Sequence, residues 1–240
     1  MAPSSLTSNK EGYQALYDGL QADAMPKHVA LFLDGASRGH LKDVARICCD
    51  LKIKVLSVYT FSSGKDYQNL LMSKHEEVDV ARSIMKLDLE DLERNDIRVS
   101  VIGKRNDVPD SLLEVIRDVE ETTKKNKSLH IIEAIDYTGR GDIIQACMAL
   151  AEKVEHGLIQ PDDIDENGFE EELETKCSEF PNPDLMIRTD GKYSIDNIML
   201  WQMAYAELYF VEKDAFGFNK TKFIEALDAY QKRSRRFGGK

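Results

Sequence analysis

Short apolar runs alternating with longer stretches of helical periodicity limit the folds open to this chain more than any other feature. The runs are residues 28–33 (HVALFL), 53–61 (IKVLSVYTF), 97–103 (IRVSVIG), 129–135 (LHIIEAI) and 184–189 (DLMIRT). Between them, residues 41–51, 76–94, 110–125 and 141–156 repeat apolar side chains at helical spacing, and a last helix is expected over 221–236. A strand covered on both faces reads as a continuous apolar run, and strands separated by helices pair in parallel, because each crossover must carry the chain back along the sheet. The pattern predicts an α/β fold with a mostly parallel sheet and helices on both faces. Pro109 precedes one helix start at Asp110 and Gly157 stops another helix. Residues 160–177 are acidic and open on a proline turn, so a surface loop with a short helix is expected there.

Nothing in the composition divides the chain. With 42% hydrophobic and 31% charged residues, 240 residues can bury one substantial core, and no linker, repeat or low-complexity tract interrupts them. The formal charge of -11 excludes a general nucleic-acid surface, which needs a basic face to offset phosphate repulsion. Any phosphate site must therefore be local. Cys48, Cys49, Cys147 and Cys177 lack metal-ligand spacing and read as buried thiols in a reducing compartment. No apolar run is long enough to cross a bilayer, and the first residues, MAPSSLTSNKEG, lack a signal-peptide core and an arginine-rich transit pattern. A soluble protein is expected, in the cytoplasm or, after loss of a transit peptide, in the plastid stroma.

In a parallel α/β sheet, ligands bind outside the carboxyl ends of the strands, where helix amino termini present free N–H groups. Three polar turns follow apolar runs: Asp34-Gly35-Ala36-Ser37-Arg38, Ser62-Ser63-Gly64-Lys65-Asp66 and Arg188-Thr189-Asp190-Gly191-Lys192. Each combines glycine, a hydroxyl and a cation, the composition of a phosphate cradle. Asp34 ends an apolar strand, where an acid is costly unless paired or metal-bound. Mg²⁺ favours one or two carboxylates together with phosphate oxygens, so Asp34 is a candidate metal ligand and the isolated Glu207 a second. Of the five histidines, His40 alone lies near a candidate turn and is a possible ligand contact.

The blocks PKHVALFLDG, KVLSVYTFSS, YTGRGDIIQA, PDLMIRTDG, LWQMAYAELYF and RRFGG resemble the cis-prenyltransferase family, typified by undecaprenyl and dehydrodolichyl diphosphate synthases. The similarity runs from about Met25 to Gly239, which sets residues 1–24 apart as a helical or flexible leader to a domain over 25–240. The resemblance implies six mostly parallel strands flanked by helices, an apolar tunnel for the prenyl chain, and assembly as a homodimer or a related heterodimer. It implies two diphosphate sites, an allylic one whose diphosphate leaves and a second that holds the nucleophilic alkene. Asp34 matches the aspartate that binds Mg²⁺, Arg38 a phosphate-binding arginine, and Arg188 an arginine of the second site. Glu207 matches the glutamate that completes the metal site. Arg236-Phe237-Gly238 matches an Arg-x-Gly that reaches across the dimer, so Arg236 and Gly238 are expected to bind the partner's substrate.

The chain departs from the family pattern in both diphosphate sites. Asp-Gly-Asn-x-Arg-Trp reads Asp34-Gly35-Ala36-Ser37-Arg38-Gly39, and a segment that normally follows, with another arginine and a histidine, is missing before Leu41. Phe-Ser-Ser-Glu-Asn-Trp reads Phe61-Ser62-Ser63-Gly64-Lys65-Asp66, and the second site's Arg-x-Ser reads Ser194-Ile195-Asp196. Charge-assisted hydrogen bonds contribute about 1.5–3 kcal/mol each, so such losses weigh heavily on diphosphate affinity.

The expected activity is Mg²⁺-dependent condensation of short isoprenoid diphosphates, dimethylallyl diphosphate with dimethylallyl or isopentenyl diphosphate. An altered second site suits an irregular head-to-middle coupling such as that of lavandulyl diphosphate synthases. Asp34, Arg38 and Lys65 are the expected catalytic residues. Gly35, Ser37, His40, Ser63, Arg188, Ser194, Asp196, Arg236 and Gly238 are the expected substrate contacts. The alternative is a catalytically weak subunit of a heteromeric enzyme that lends its carboxy-terminal tail to a partner's site.

Overall fold

A computed structural model of the chain describes residues 14–34, 39–61, 89–105, 108, 110–212 and 217–234, with backbone alone for residues 34, 60, 61 and 111. Six strands form its sheet: β1 (His28–Asp34), β2 (Val55–Phe61), β3 (Ile97–Ile102), β4 (Leu129–Ala134), β5 (Leu185–Arg188) and β6 (Glu207–Phe210). Their order is β3-β4-β2-β1-β5-β6, and every neighbouring pair is parallel. The helices are α1 (Leu41–Asp50), α2 (Leu89–Arg94), α3 (Asp110–Thr123), α4 (Gly139–Glu155), α5 (Glu166–Glu170) and α6 (Lys220–Gln231).

Each of the five expected strands is present, and most elements differ from expectation only at their ends, for local reasons. β2 begins at Val55 rather than at residue 53 because the chain is still closing the turn after α1: Lys52 takes a positive φ of 59°, and the Ile53 N–H donates to the Cys48 carbonyl. α4 begins two residues early because Thr138 caps it, its Oγ1 accepting from the Gly141 N–H. Gly157 ends that helix at φ 69°, and its N–H donates to the Val154 carbonyl. α6 starts after Asn219, whose side chain accepts from the Thr221 and Lys222 N–H groups, and stops at Gln231, short of the expected residue 236. Of the helix expected over 76–94, only α2 falls within the described residues. The acidic segment forms α5 between two 3₁₀ turns, as a surface loop with a short helix.

Alternation along the strands separates two cores. Val29, Leu31 and Leu33 of β1 join Leu56, Val58 and Ile131 under α1, α3 and α6. Ala30 and Phe32 point the other way and meet Tyr59, Ile132, Tyr137, Met186, Met199 and Met203. Both faces are therefore covered, as the continuous apolar runs require. Leu16, Tyr17 and Leu20 pack against the first core, so part of the segment ahead of residue 25 is tied to the domain. The cysteines differ from the expectation of four buried thiols: Cys48 is buried, but Cys147 is exposed on the outer side of α4. Periodicity alone did not separate these two helix faces.

From β1 the chain first goes one way across the sheet, to β2, β3 and β4, and later the other way, to β5 and β6. The connections diverge on either side of β1. The switch point lies between β1 and β5, and α/β proteins of this kind hold ligands outside the carboxyl ends of the strands at such a point.

Candidate active site

The three polar turns begin at the carboxyl ends of β2, β1 and β5, which are neighbours. Asp34 pairs with Phe61 and Phe32 with Arg188, so the strand ends that lead into the turns lie side by side, about 10 Å across at ~4.8 Å per strand. Thr189 fastens the last of these turns to β1: its N–H and its Oγ1 both donate to the Phe32 carbonyl, at 3.1 and 2.9 Å. Gly35, Ser37, Arg38, Ser63, Lys65, Arg236 and Gly238 lie outside the described residues, and for Asp34 the backbone alone is described. His40 stands immediately before α1, half-buried, with no capping bond from its side chain.

Arg188 is the largest fully buried side chain of the described residues. Its Nε donates to Asp190 Oδ1 at 2.7 Å and its Nη2 to Asp190 Oδ2 at 2.9 Å. Nη1 donates to the Ser194 carbonyl at 2.6 Å and to Ser194 Oγ at 3.2 Å, and lies 2.8 Å from Asp196 Oδ2. Burial opposes the charge on Arg188, but the bonds to Asp190 and Asp196 outweigh it and raise the guanidinium pKa. The carboxylates respond in kind. The bond from Arg188 holds Asp190 below the usual value, and the bonds from Ser194 and then Arg188 do the same for Asp196 against the effect of burial. Ser194 Oγ donates to Asp196 Oδ1 at 2.6 Å, and Asp196 sits at φ 48°.

The loop that carries Ser194 and Asp196 is anchored just beyond them. The Asn197 carbonyl accepts from the Gly139 N–H at 2.7 Å, and Asn197 Oδ1 accepts from the Arg140 N–H at 2.9 Å. The amino terminus of α4 is thereby capped from a distant part of the chain. Behind it, buried Asp142 collects bonds from the Tyr137 hydroxyl (2.7 Å), Gln202 Nε2 (2.9 Å), Gln145 Nε2 (3.1 Å) and the Glu174 N–H (3.0 Å). Such a network fixes the turn after β4 against residues 172–202. Sequence reading gave no role to Asp190, Asn197 or Asp142. The acid in IRTDG and the asparagine in SIDN were the available signals, but neither states which donor it meets.

Glu207 stands away from Asp34 of the same chain. It opens β6, where it aligns with Leu185, which in turn aligns with Val29. Asp34 lies five residues further along β1, about 17 Å at a rise of ~3.3 Å per residue. Asp34 and Glu207 of one chain therefore stand at opposite ends of the sheet and cannot share an ion. Glu207 instead pairs with Arg233, Oε2 to Nη1 at 2.5 Å, and Arg233 also donates to the Leu208 carbonyl.

Comparison with known proteins places this architecture. Residues 30–238 match the family described as "Putative undecaprenyl diphosphate synthase". The chain belongs to this family of prenyltransferases. Among its members, dehydrodolichyl diphosphate synthase 2 of Arabidopsis thaliana is 40% identical over 251 residues, covering 96% of this chain and 79% of that protein. The chloroplastic (2Z,6Z)-farnesyl diphosphate synthase of Solanum lycopersicum is also 40% identical, over 91% of this chain and 81% of its own length. The 251 aligned positions exceed the 240 residues of this chain, so this prenyltransferase lacks residues that its Arabidopsis relative has. In structure it resembles lavandulyl diphosphate synthase of Lavandula x intermedia, solved with dimethylallyl diphosphate, at a TM-score of 0.79 and 35% identity, covering 90% of this chain and 99% of that one. A probable undecaprenyl diphosphate synthase of Campylobacter jejuni aligns at a TM-score of 0.71 and 29% identity, over 88% and 98%. The six-stranded prenyltransferase fold and the enzyme class implied by the sequence motifs both hold.

Proposed function

We propose that this prenyltransferase joins two C5 diphosphates, dimethylallyl diphosphate and a second molecule of dimethylallyl or isopentenyl diphosphate, with head-to-middle coupling when both are dimethylallyl. The observation that carries the reading is the junction of the β1 and β5 turns at the divergence of the sheet connections, with a buried arginine beneath one of them. The altered loop at residues 194–196 supports a changed nucleophile, and the likeness to a lavandulyl diphosphate synthase holding dimethylallyl diphosphate supports the substrate class.

In this reading the C1–O bond of the allylic diphosphate breaks, the electron pair leaves with the diphosphate, the alkene of the second substrate attacks C1, and the resulting cation loses a proton to the released diphosphate to restore a double bond. Asp34, Gly35, Ser37, Arg38, His40, Ser63 and Lys65 surround the leaving diphosphate, where preorganised cations and N–H donors stabilise the growing negative charge. Arg188 and Ser194 serve the second diphosphate. No group of three or more His, Cys, Asp or Glu side chains among the described residues could enclose an ion unaided. Mg²⁺ fits one carboxylate, Asp34, completed by phosphate oxygens, and when bound it would neutralise charge on the leaving group. A role for Glu207 beside that ion requires a second copy of the chain, so the proposed enzyme is a homodimer that presents Glu207, Arg236 and Gly238 across its interface. Relatives named chloroplastic support a plastid location, and no helix among the described residues is long and apolar enough to cross a membrane.

The test is to incubate the purified chain alone with dimethylallyl diphosphate, with and without isopentenyl diphosphate, in the presence and absence of Mg²⁺. Mass spectrometry of the products reports activity, chain length and regiochemistry together. A C10 diphosphate that depends on Mg²⁺ is expected. No product without an added homologous subunit would favour the heteromeric alternative.

A further inference from the structure

We infer that Asp196 is a built-in competitor for the second diphosphate, occupying the arginine that the substrate must use. The inference rests on the proposed role of Arg188 at that site. A guanidinium recognises an anion through its outward N–H groups. In Arg188, Nε and one N–H of Nη2 are taken by Asp190, and Nη1 faces the Ser194 carbonyl and the Asp196 carboxylate. The two acids differ in setting: the side chain of Asp190 is 14% exposed and that of Asp196 43%. Asp190 is the inner, fixed partner, held also by the Lys192 N–H at 3.1 Å. Asp196 lies at the rim, on a left-handed residue whose carboxylate is held by Ser194 Oγ as well as by Arg188.

A diphosphate approaching from solvent thus meets a carboxylate before it meets the arginine. Arg188 and Lys192 are balanced in charge by Asp190 and Asp196, so no net positive charge among these four groups draws the anion in. Binding must displace Asp196 from Nη1 and move it away from the incoming oxygens. Asn197 stays pinned to the α4 amino terminus, so the movement is confined to the residues before it. Asp196 thereby discriminates among nucleophiles, admitting those whose remaining contacts outweigh its eviction.

The probe is isopentenyl diphosphate alone, which lacks an allylic partner and does not turn over. Its dissociation constant is measured by titration calorimetry on the full-length protein and on Asp196→Asn and Asp196→Ser, both checked for folding by circular dichroism. Asn keeps the shape and removes the charge, so it remains informative if Ser loosens the loop. Tightening of roughly tenfold to a hundredfold in either folded variant is expected, the worth of one charge-assisted bond freed for substrate. Unchanged or weaker binding in both would overturn the inference. Product formation by the unmodified enzyme is scored separately. Tighter binding without product upholds the competitor and rejects the proposed reaction, whereas product with unchanged affinity does the reverse.

Discussion

Asp190 grips Arg188 with both oxygens, at 2.7 and 2.9 Å, and so anchors a cation that has no exposed surface. Removing Asp190 takes away two charge-assisted hydrogen bonds but leaves Arg188 paired with Asp196, so the cost falls short of that of an uncompensated buried charge. Asp190→Asn should therefore lose about 1.5–3 kcal/mol in urea unfolding at neutral pH. A loss no larger than that of an exposed aspartate substitution would show that the pair does not hold the turn. Because the folded Asp190 and Asp196 titrate below the ordinary 3.8, their contribution is complete above that value and disappears as pH falls through the folded pKa values.

The histidines of β1 and β4 set an earlier acid limit. His28 is wholly buried with Nε2 2.6 Å from Ser57 Oγ, and burial lowers its pKa from 6.5 to about 3. Burial likewise lowers His130 to about 4. Between these values and 6.5 the unfolded chain binds protons that the folded chain refuses, so stability is full above 6.5 and falls as the pH drops. Unfolding free energy measured from pH 6 down to pH 5 should decline by about 1.2 kcal/mol per unit for each histidine. In His28→Asn the slope should be half that of the parent, whatever the absolute stability of the variant.

Gly103 follows β3 with φ 103°, and a Cβ there would lie 1.9 Å from the Ile135 carbonyl oxygen. That oxygen belongs to the backbone and has little room to move. Gly103→Ala should cost more than ~2 kcal/mol, from strain and collision together, visible as a lower melting temperature. A variant that melts with the parent would mean that the turn after β3 can be rebuilt at little cost.

The distance between Asp34 and Glu207 gives a complementation test of the proposed dimer. Asp34→Asn and Glu207→Gln should each abolish or greatly reduce Mg²⁺-dependent activity. If each site draws its aspartate from one protomer and its glutamate from the other, mixed dimers regain one intact site. Refolding the two variants together in equal amounts should then restore about a quarter of parental activity, since half the dimers are mixed and each carries one good site of two. Failure of the mixture to exceed either variant would remove Glu207 from the metal site.

The parallel sheet was legible because strands buried on both faces leave continuous apolar runs, and α1 and α3 because one side of each helix meets a core. β6 escaped for the same physical reason in reverse. It lies at the sheet edge, half-exposed, with Glu207 first and Leu208 facing outwards, so its residues read as part of a longer amphipathic segment. At the site, composition marked three polar turns after apolar runs, and the strands that lead into them, β2, β1 and β5, are neighbours in the sheet, an adjacency that residue types do not carry. Residue types alone do not carry register, so the separation of Asp34 and Glu207 within one chain became visible only through the pairing of β5 with β1 and β6. The same limit hid Asp196: the change from Ser to Asp was visible, but not the guanidinium 2.8 Å away.

The bonds from Asn197 to the start of α4 have a consequence for engineering. With Asp190 clamped to Arg188 on one side and Asn197 to Gly139 and Arg140 on the other, residues 193–196 form a short cassette between two fixed posts. Side chains can be transplanted into that cassette without redesigning the sheet or helix behind it. The residues of this loop can therefore diverge while the surrounding fold stays unchanged.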